Sequence, residues 1–172
     1  MEKGYHAVST EQVASAAGVS KGLVHYHFTS KEQLLVCILK DILDELFTSL
    51  DNIAKGNDPA QEKIRSAIKS YLNLANSRLG LARITLFEDA LTEKAKNYII
   101  ERAEENVLKL TGLVEDGIDK GEFRTVDSRL VANLITGAIL EIMRGAVLQR
   151  RELITGELAD EITDILCGGI SR

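Results

Sequence analysis

The side chains best suited to contact a nucleic acid lie close together in residues 20–31. Lys21 carries a positive charge that attracts a phosphate, while Tyr26 and the imidazoles of His25 and His27 offer neutral hydrogen-bond donors. Such donors, together with the free amides at the start of a helix, bind the sugar–phosphate backbone of a duplex. The segment therefore predicts a surface that contacts DNA.

Two short helices joined by a tight turn are predicted to position these side chains. Ser9 or Thr10 can accept a hydrogen bond from the first free amides of the first helix. Gly18 is suited to end that helix, because glycine enters the left-handed region without steric cost. Ser20 can begin the second helix, and Val19 is predicted to fill the space between the two helices. Two helices joined by a short turn that contains glycine are typical of the motif that enters the major groove.

The run AAGVSKGLVHYHFTSKEQLL resembles the signature of the TetR family of bacterial one-component transcriptional regulators. The family pattern is roughly A-x-x-A-G-V-S-K-G-x-[LV]-Y-x-[YH]-F-x-[ST]-K-x-x-L. The match is dense and fixed in register. The positions that match as they stand are Ala14, Ala17, Gly18, Val19, Ser20, Lys21, Gly22, Val24, Phe28, Ser30, Lys31 and Leu34.

The resemblance implies that the second helix, together with positions on either side of it, contacts DNA. Thr10 and Lys31 would hold phosphates, and the residues at the start of the second helix would reach base edges. His25 stands where the family usually has tyrosine, so the phosphate contact implied there would come from an imidazole. Leu23 is apolar where a small or polar residue is common, and it either touches a thymine methyl group or packs internally. The implied contact residues are Thr10, Ser20, Lys21, Gly22, Leu23, His25, Tyr26, His27 and Lys31.

In this family a full helix precedes the motif and ends in a Gly-Tyr phrase. Here Gly4-Tyr5 stands three residues after the start, which predicts that the first helix of the DNA-binding domain is missing from this numbering. Such a helix would cover the apolar faces of Val13, Val24 and Phe28. Either Met1 is an internal methionine of a longer protein that binds DNA more tightly, or the chain is naturally without this helix.

Length, charge and hydropathy limit the class of protein. The 172 residues provide material for a DNA-binding domain and one helical bundle. The net charge of −5 argues against generic coating of DNA and favours binding that depends on geometry. We find no apolar run of the length expected for a membrane span and no secretory signal, so a cytoplasmic location is expected.

The sequence does not predict an enzyme, a metal site or a cofactor. It contains no phosphate loop of the GxxxxGK[ST] type, no HExxH, no serine in an elbow context and no paired cysteine and histidine. Cys37 and Cys167 lie far apart in predicted helices and are expected to be small buried hydrophobes rather than a disulfide. None of the three histidines lies at ligand spacing from a carboxylate or a thiol.

Helical periodicity continues to the end of the chain and predicts an all-α fold. An N-terminal helix-turn-helix DNA-binding domain (residues 1–45) would join a C-terminal helical bundle for effector sensing and dimerisation (residues 46–172). Ser30 and Gln33 form a predicted capping box that begins the linking helix. The predicted helices after the motif cover residues 31–54, 59–78, 81–91, 93–120, 127–150 and 157–168.

The last two predicted helices carry more apolar side chains than one small domain can bury. They form either a buried core pair or, as the resemblance implies, a two-fold four-helix interface between two copies of the chain. We expect the homodimer. Two recognition helices must lie about 34–36 Å apart to enter successive major grooves of a palindromic operator.

An effector pocket is expected among the helices between residues 46 and 102. Tyr71, Arg83, Phe87 and Tyr98 are candidates, because an apolar pocket needs a few placed polar groups, although each also suits an ordinary core or surface position. The resemblance implies a repressor that binds double-stranded operator DNA and is released by a small-molecule effector. The alternative is a helical ligand-binding or protein-interaction dimer that has lost DNA binding.

Overall fold

The computed structural model describes residues 5–77, 93–149, 151–152 and 155–171. Within these ranges the fold is all-α, as predicted, and a short 3-10 helix precedes seven α-helices. The predicted helix over residues 81–91 lies outside the described residues. The elements are the 3-10 helix Tyr5–Ala7, α1 (Thr10–Ala16), α2 (Lys21–His27), α3 (Lys31–Lys55), α4 (Ala60–Ser77), α5 (Glu93–Asp119), α6 (Ser128–Gln149) and α7 (Thr155–Gly168).

Helix α3 is a single helix of 25 residues that leaves the helix-turn-helix and enters the body. The Ser30 hydroxyl caps its start by accepting from the Gln33 amide at 3.1 Å. The Gln33 side chain instead accepts from the Thr29 amide at 2.7 Å, so the predicted capping box is shifted by one residue. Gly56 ends the helix. The predicted boundary between residues 45 and 46 therefore falls inside a continuous helix, and it stays a prediction.

Helix α4 lies at the centre of the body and contacts α3, α5, α6 and α7. Its side chains Ile64, Ala67, Ile68 and Leu72 are fully buried. These positions recur every three or four residues, which places them on one face of the helix. The neighbouring helices close over this face and form the main core.

The turn after α5 joins the start of α4 to the core. Gly121 adopts a φ of +74°, which reverses the chain and directs the Phe123 ring into the core. That ring lies directly against Gly117, where an added Cβ would also lie 2.7 Å from the Cβ of Ala60. Glu122 accepts a hydrogen bond from the Ala60 amide and so caps α4. The close packing of Phe123 and Ala60 therefore depends on a glycine at position 117.

Helices α6 and α7 expose large apolar side chains. Leu130, Leu134 and Leu148 of α6 and Ile165 of α7 are each more than half exposed. By length and composition α6 could cross a membrane, with a mean hydropathy of 1.5 over its most apolar stretch, of which 28% is buried inside the chain. This corrects the expectation that no run of that length exists. Neighbouring exposed apolar side chains of this kind mark an interaction surface.

Candidate nucleic-acid interface and effector cavity

The start of α1 is fixed by a reciprocal pair of hydrogen bonds. The Ser9 hydroxyl accepts from the Gln12 amide at 3.3 Å, and the Gln12 side chain accepts from the Ser9 amide at 2.9 Å. Of the two predicted caps, Ser9 is therefore the one used. Thr10 becomes the first residue of α1 and is half-buried.

The turn between α1 and α2 depends on Gly18, as predicted. Gly18 adopts a φ of +68°, and its amide donates to the Ser15 carbonyl at 3.2 Å. The Val19 amide donates to the Ala14 carbonyl at 3.0 Å, which completes a Schellman motif. The Val19 side chain is 39% exposed, so the prediction that it fills the space between the helices is wrong. Its backbone closes the turn, and that geometry directs the side chain to the surface.

Helix α2 presents nearly all of its polar surface to solvent. The Ser20 hydroxyl accepts from the Leu23 amide at 3.1 Å and begins the helix. Val24 is buried on the inner face and Phe28 is half-buried, while Tyr26 is 83% exposed. Seven of the nine residues implied to contact DNA are exposed on this helix and its cap: Ser20, Lys21, Gly22, Leu23, His25, Tyr26 and His27. The geometry is compatible with a recognition helix, and the individual contacts stay predictions.

Lys21 is paired with a carboxylate in the free protein. Its ammonium lies 2.5 Å from Glu11 of α1, and both side chains are about half exposed. The hydrogen bond from Lys21 lowers the pKa of Glu11 from its usual 4.5 to about 2. A DNA phosphate that pairs with the Lys21 ammonium must therefore displace Glu11 or approach beside it.

Lys31 is directed inward. Its ammonium donates to the carbonyls of Tyr5 and Val8, and it lies 4.1 Å from the centroid of the Tyr5 ring. These contacts tie the 3-10 helix to the start of α3. Because a lysine ammonium has three donors, a phosphate contact at Lys31 would require part of this arrangement to open. That contact also stays a prediction.

A second candidate site is a cavity of about 220 Å³ inside the body. Tyr71 lines it, whereas Tyr98 does not, and Arg83 and Phe87 lie outside the described residues. Most of the wall is apolar. The lining residues are Leu39, Ile42, Leu43, Leu46 and Phe47 of α3, Tyr71, Leu74 and Ala75 of α4, Ile99, Arg102, Ala103 and Asn106 of α5, and Thr136, Ile139, Leu140 and Met143 of α6.

The polar residues Arg102, Asn106 and Thr136 of this wall were not among the sequence candidates. The sequence did contain a signal for Asn106. This residue lies between Ala103 and Leu110 at helical spacing, on the inner face of α5. A polar residue at such a position is unusual unless it has a partner. No comparable signal marks Arg102, because arginine is common at the edge of an amphipathic helix.

Arg102 joins the cavity to α3. Its guanidinium donates to Asp44 and to Glu105, each at 2.6 Å, and it lies 4.2 Å from the centroid of the Phe47 ring. The side chain is only 20% exposed. An arginine stacked on an aromatic ring and paired with two carboxylates is held in one orientation. It therefore fixes α5 against the middle of α3.

A small apolar cluster lies between the cavity and the helix-turn-helix. Leu35, Leu39 and Ala95 are its buried members, and Tyr5 and Ile99 pack against them. We call it the junction cluster. Leu39 and Ile99 also line the cavity, so the junction cluster and the cavity share part of their walls.

A helix-turn-helix with a solvent-exposed second helix, attached to a helical body that encloses an apolar cavity, defines a ligand-responsive DNA-binding protein. Comparison with known proteins identifies the family. Residues 1–37 match the profile of bacterial regulatory proteins of the tetR family, and residues 57–144 match that of the tetracyclin repressor-like C-terminal domain. The chain belongs to the TetR family, and the prediction of a DNA-binding transcriptional regulator is confirmed.

Individual relatives resemble the chain over nearly its whole length. The fatty acid metabolism regulator protein of Bacillus subtilis (strain 168) is 26% identical over 175 residues, which cover 98% of this chain and 88% of the relative. The crystal structure of FadR from Bacillus subtilis with stearoyl-CoA superposes with a TM-score of 0.83 at 25% identity, covering 95% of this chain and 89% of that one. FadR from Bacillus halodurans, at 23% identity, shares the fold with a TM-score of 0.79, covering 96% and 90%.

Proposed function

We propose that this protein is a homodimeric repressor that acts in the cytoplasm and binds a palindromic operator until a small-molecule effector fills the cavity. It acts by binding and does not catalyse a reaction. The observation that carries the proposal is the continuity of α3. This helix begins three residues after α2 ends, and its middle forms one wall of the cavity.

The exposed apolar surface of α6 and α7 supports the homodimer. Leu130, Leu134 and Leu148 share one face of α6, because their spacings of 4 and 14 residues return close to the same angle on a helix of 3.6 residues per turn. Ile165 of α7 adds to it. We call these four residues the dimer face. A second copy of the chain would cover this face by the same residues, as a two-fold interface requires.

Two glycines of α6 also fit a close helix–helix contact. A Cβ at Gly137 or at Gly145 would meet nothing within 4 Å inside the chain. Glycine lowers helix stability by about 1 kcal/mol relative to alanine, and packing within the chain does not require it here. Close approach of a partner helix accounts for both glycines, and it favours a partner copy over lipid as the cover of this face.

The effector is proposed to carry a long hydrocarbon chain. The cavity walls from α3 and α6 are leucine, isoleucine, phenylalanine and methionine with few exceptions. Burying hydrocarbon against such walls gives about 25 cal/mol for each Å² removed from water. The Bacillus subtilis relative is named for fatty acid metabolism and a structure of FadR from that organism contains stearoyl-CoA. We therefore propose a long-chain acyl compound, such as an acyl-CoA, as the effector class.

The junction cluster provides a route from the effector to the DNA. A chain in the cavity would press on Leu39 and Ile99, which also pack in the junction cluster. Tyr5 of this cluster holds the ammonium of Lys31, so a displacement of α3 would move the helix-turn-helix. An effector that binds the displaced form more tightly by about 1–3 kcal/mol lowers affinity for the operator by about 5–150-fold.

A mobility-shift titration tests this function. The protein is titrated against its own promoter fragment at several salt concentrations, with and without stearoyl-CoA, and free coenzyme A is the control ligand. We expect salt-sensitive binding that stearoyl-CoA weakens and coenzyme A does not. Tyr26→Ala should lose binding, whereas Ile100→Ala, which truncates an exposed residue of α5, should not.

The outcomes separate the parts of the proposal. An intact dimer that binds no promoter DNA would contradict the repressor and favour the ligand-binding or protein-interaction dimer. A DNA complex that is insensitive to stearoyl-CoA and to other long acyl chains would contradict the proposed effector class while leaving DNA binding in place.

A further inference from the structure

Two neutral side chains at the cavity each have a buried polar atom with no hydrogen-bond partner among the described residues. These atoms are the hydroxyl oxygen of Tyr71 on α4 and the side-chain oxygen Oδ1 of Asn106 on α5, and both are shielded from solvent. Asn106 as a whole is 8% exposed. Buried polar atoms in folded proteins are nearly always hydrogen-bonded. Two such atoms at one cavity therefore point to a partner that the chain itself does not supply.

The other polar residues of the wall are already engaged. The Thr136 hydroxyl donates to the Ala132 carbonyl at 2.9 Å. Arg102 also has one buried donor, Nε, without a partner among the described residues. Its charge, however, is matched by the two carboxylates of Asp44 and Glu105. The groups that remain available to bind a ligand, Tyr71 and Asn106, are therefore neutral.

The chemistry of these two groups selects a hydroxyl. An asparagine oxygen only accepts hydrogen bonds, whereas a tyrosine hydroxyl donates or accepts. Burial raises the pKa of Tyr71, so its hydroxyl remains a protonated donor at physiological pH. A ligand hydroxyl has the chemistry that both groups need, since it can donate to Asn106 and accept from Tyr71. A ketone satisfies only Tyr71, an ionised carboxylate has no proton for Asn106, and a methylene group satisfies neither.

Most of the remaining wall is hydrocarbon, with Leu74, Ala103 and Met143 among its members. We propose that the cavity selects a hydroxylated hydrocarbon chain, of the hydroxy fatty acyl class, over the same chain without the hydroxyl group. The hydroxyl is held by Tyr71 and Asn106. This inference rests on the proposed function, because it takes the cavity to be the effector site.

The test compares dodecanoic acid with its monohydroxy isomers by isothermal titration calorimetry. A buried hydroxyl that pairs with both side chains should bind about tenfold more tightly than a methylene group at that position. We expect one isomer, or two adjacent ones, to show this preference in the wild-type protein. Tyr71→Phe combined with Asn106→Leu should abolish the preference and leave the affinity for dodecanoic acid equal or higher.

Two controls separate recognition from folding. Tyr71→Phe removes an oxygen that has no partner among the described residues, so the thermal midpoint of the ligand-free protein should not fall. Ile100→Ala, at an exposed position of α5 outside the cavity wall, should leave the preference intact. A fall in the midpoint of the Tyr71→Phe protein would show that its hydroxyl serves the fold, which overturns the inference.

Failure of this inference differs from failure of the proposed function. If dodecanoic acid binds as tightly as every hydroxy isomer, or if the preference survives the double substitution, the hydroxyl subsite is wrong and the acyl effector stands. If neither dodecanoic acid nor any isomer binds, and stearoyl-CoA also leaves the operator complex unchanged, the acyl effector itself is wrong and the subsite falls with it.

Discussion

The helix-turn-helix and the body bury their apolar side chains to very different extents. In α1 and α2 only Ala14 and Val24 are buried hydrophobic residues, whereas one core cluster of the body contains 23 described residues. The helix-turn-helix keeps its shape through caps and a glycine turn, and the body keeps its shape through packing. A surface that must contact DNA directs its side chains outward, so local backbone chemistry has to replace a core.

The largest effect on folding stability is expected from Gly117→Ala in the body. The added Cβ would overlap the Phe123 ring and lie 2.7 Å from Ala60. Overpacking of this kind lowers the free energy of unfolding by about 1–3 kcal/mol, and the rigid ring favours the upper end. Urea unfolding measures this fall in the free energy of unfolding. Gly112→Ala on the same helix, where a Cβ meets nothing within 4 Å, should be neutral or stabilising, and an equal loss there would contradict the packing argument.

Leu134→Glu tests the outer face of the body. A carboxylate at the centre of the proposed dimer face should raise the dissociation constant of the dimer about a hundredfold or more, because a buried unpaired charge costs about 3–5 kcal/mol. Sedimentation velocity at several concentrations measures the change. Ile100→Glu, at an exposed apolar position of α5, should remain dimeric. A Leu134→Glu protein that sediments as the wild type would remove α6 from the interface.

Gly22→Ala separates fold from function in the helix-turn-helix. A Cβ at Gly22 meets only the Ser20 hydroxyl, at an ordinary distance of 3.9 Å. The substitution should therefore raise the free energy of unfolding by up to about 1 kcal/mol. If the glycine allows close approach to DNA, operator affinity should nevertheless fall, by about tenfold if one contact worth about 1.4 kcal/mol is lost. Unchanged affinity would show that Gly22 does not face the duplex.

Substitutions in the ion pair between Lys21 and Glu11 should have a smaller effect on DNA binding. Lys21→Ala should weaken binding across DNA sequences and reduce the slope of log affinity against log salt by about 1. Glu11→Gln should strengthen binding, because it removes the carboxylate that competes with phosphate for Lys21. An unchanged salt slope in the Lys21→Ala protein would count against a phosphate contact at this residue.

The smallest expected effect is a shift in one titration. The pKa of Glu11 is lowered to about 2. The ionised Glu11 carboxylate therefore contributes stability that is fully present above pH 4.5 and is lost as the pH falls through 2. Nuclear magnetic resonance of the Glu11 side chain should show a midpoint near the lower value. In the Lys21→Ala protein the midpoint should return toward 4.5, and a midpoint that stays low would assign the shift to the backbone of α1.

The local signals for the helix-turn-helix predicted most of its backbone. Ser20 and Gly18 act as the caps and turn residue that their types suggest. These signals succeed because capping and left-handed turns depend on a few consecutive residues. The inward direction of Lys31 could not be predicted in the same way, since it depends on where the 3-10 helix lies. The prediction for Val19 was wrong because its backbone closes the turn and leaves the side chain exposed.

In the body, periodicity predicted the helices but not the cavity. The bounds of α3 and α5 agree with the predicted ranges to within one residue at each end. Of the two effector candidates that lie within the described residues, Tyr71 lines the cavity and Tyr98 does not, while Arg102 and Asn106 were missed. A periodic pattern shows which face of a helix is apolar, but it does not show where four such faces leave a cavity between them.

The sequence by itself determined the family, the helical class and the position of the recognition helix, because these depend on short-range spacing that can be recognised along the chain. The tertiary structure decided that Lys21 pairs with Glu11, that Lys31 faces inward, and that Tyr71 and Asn106 meet one apolar cavity. Each of these facts joins segments that are distant in the chain or set by the crossing of helices. Such contacts follow from packing in three dimensions, which no local pattern specifies.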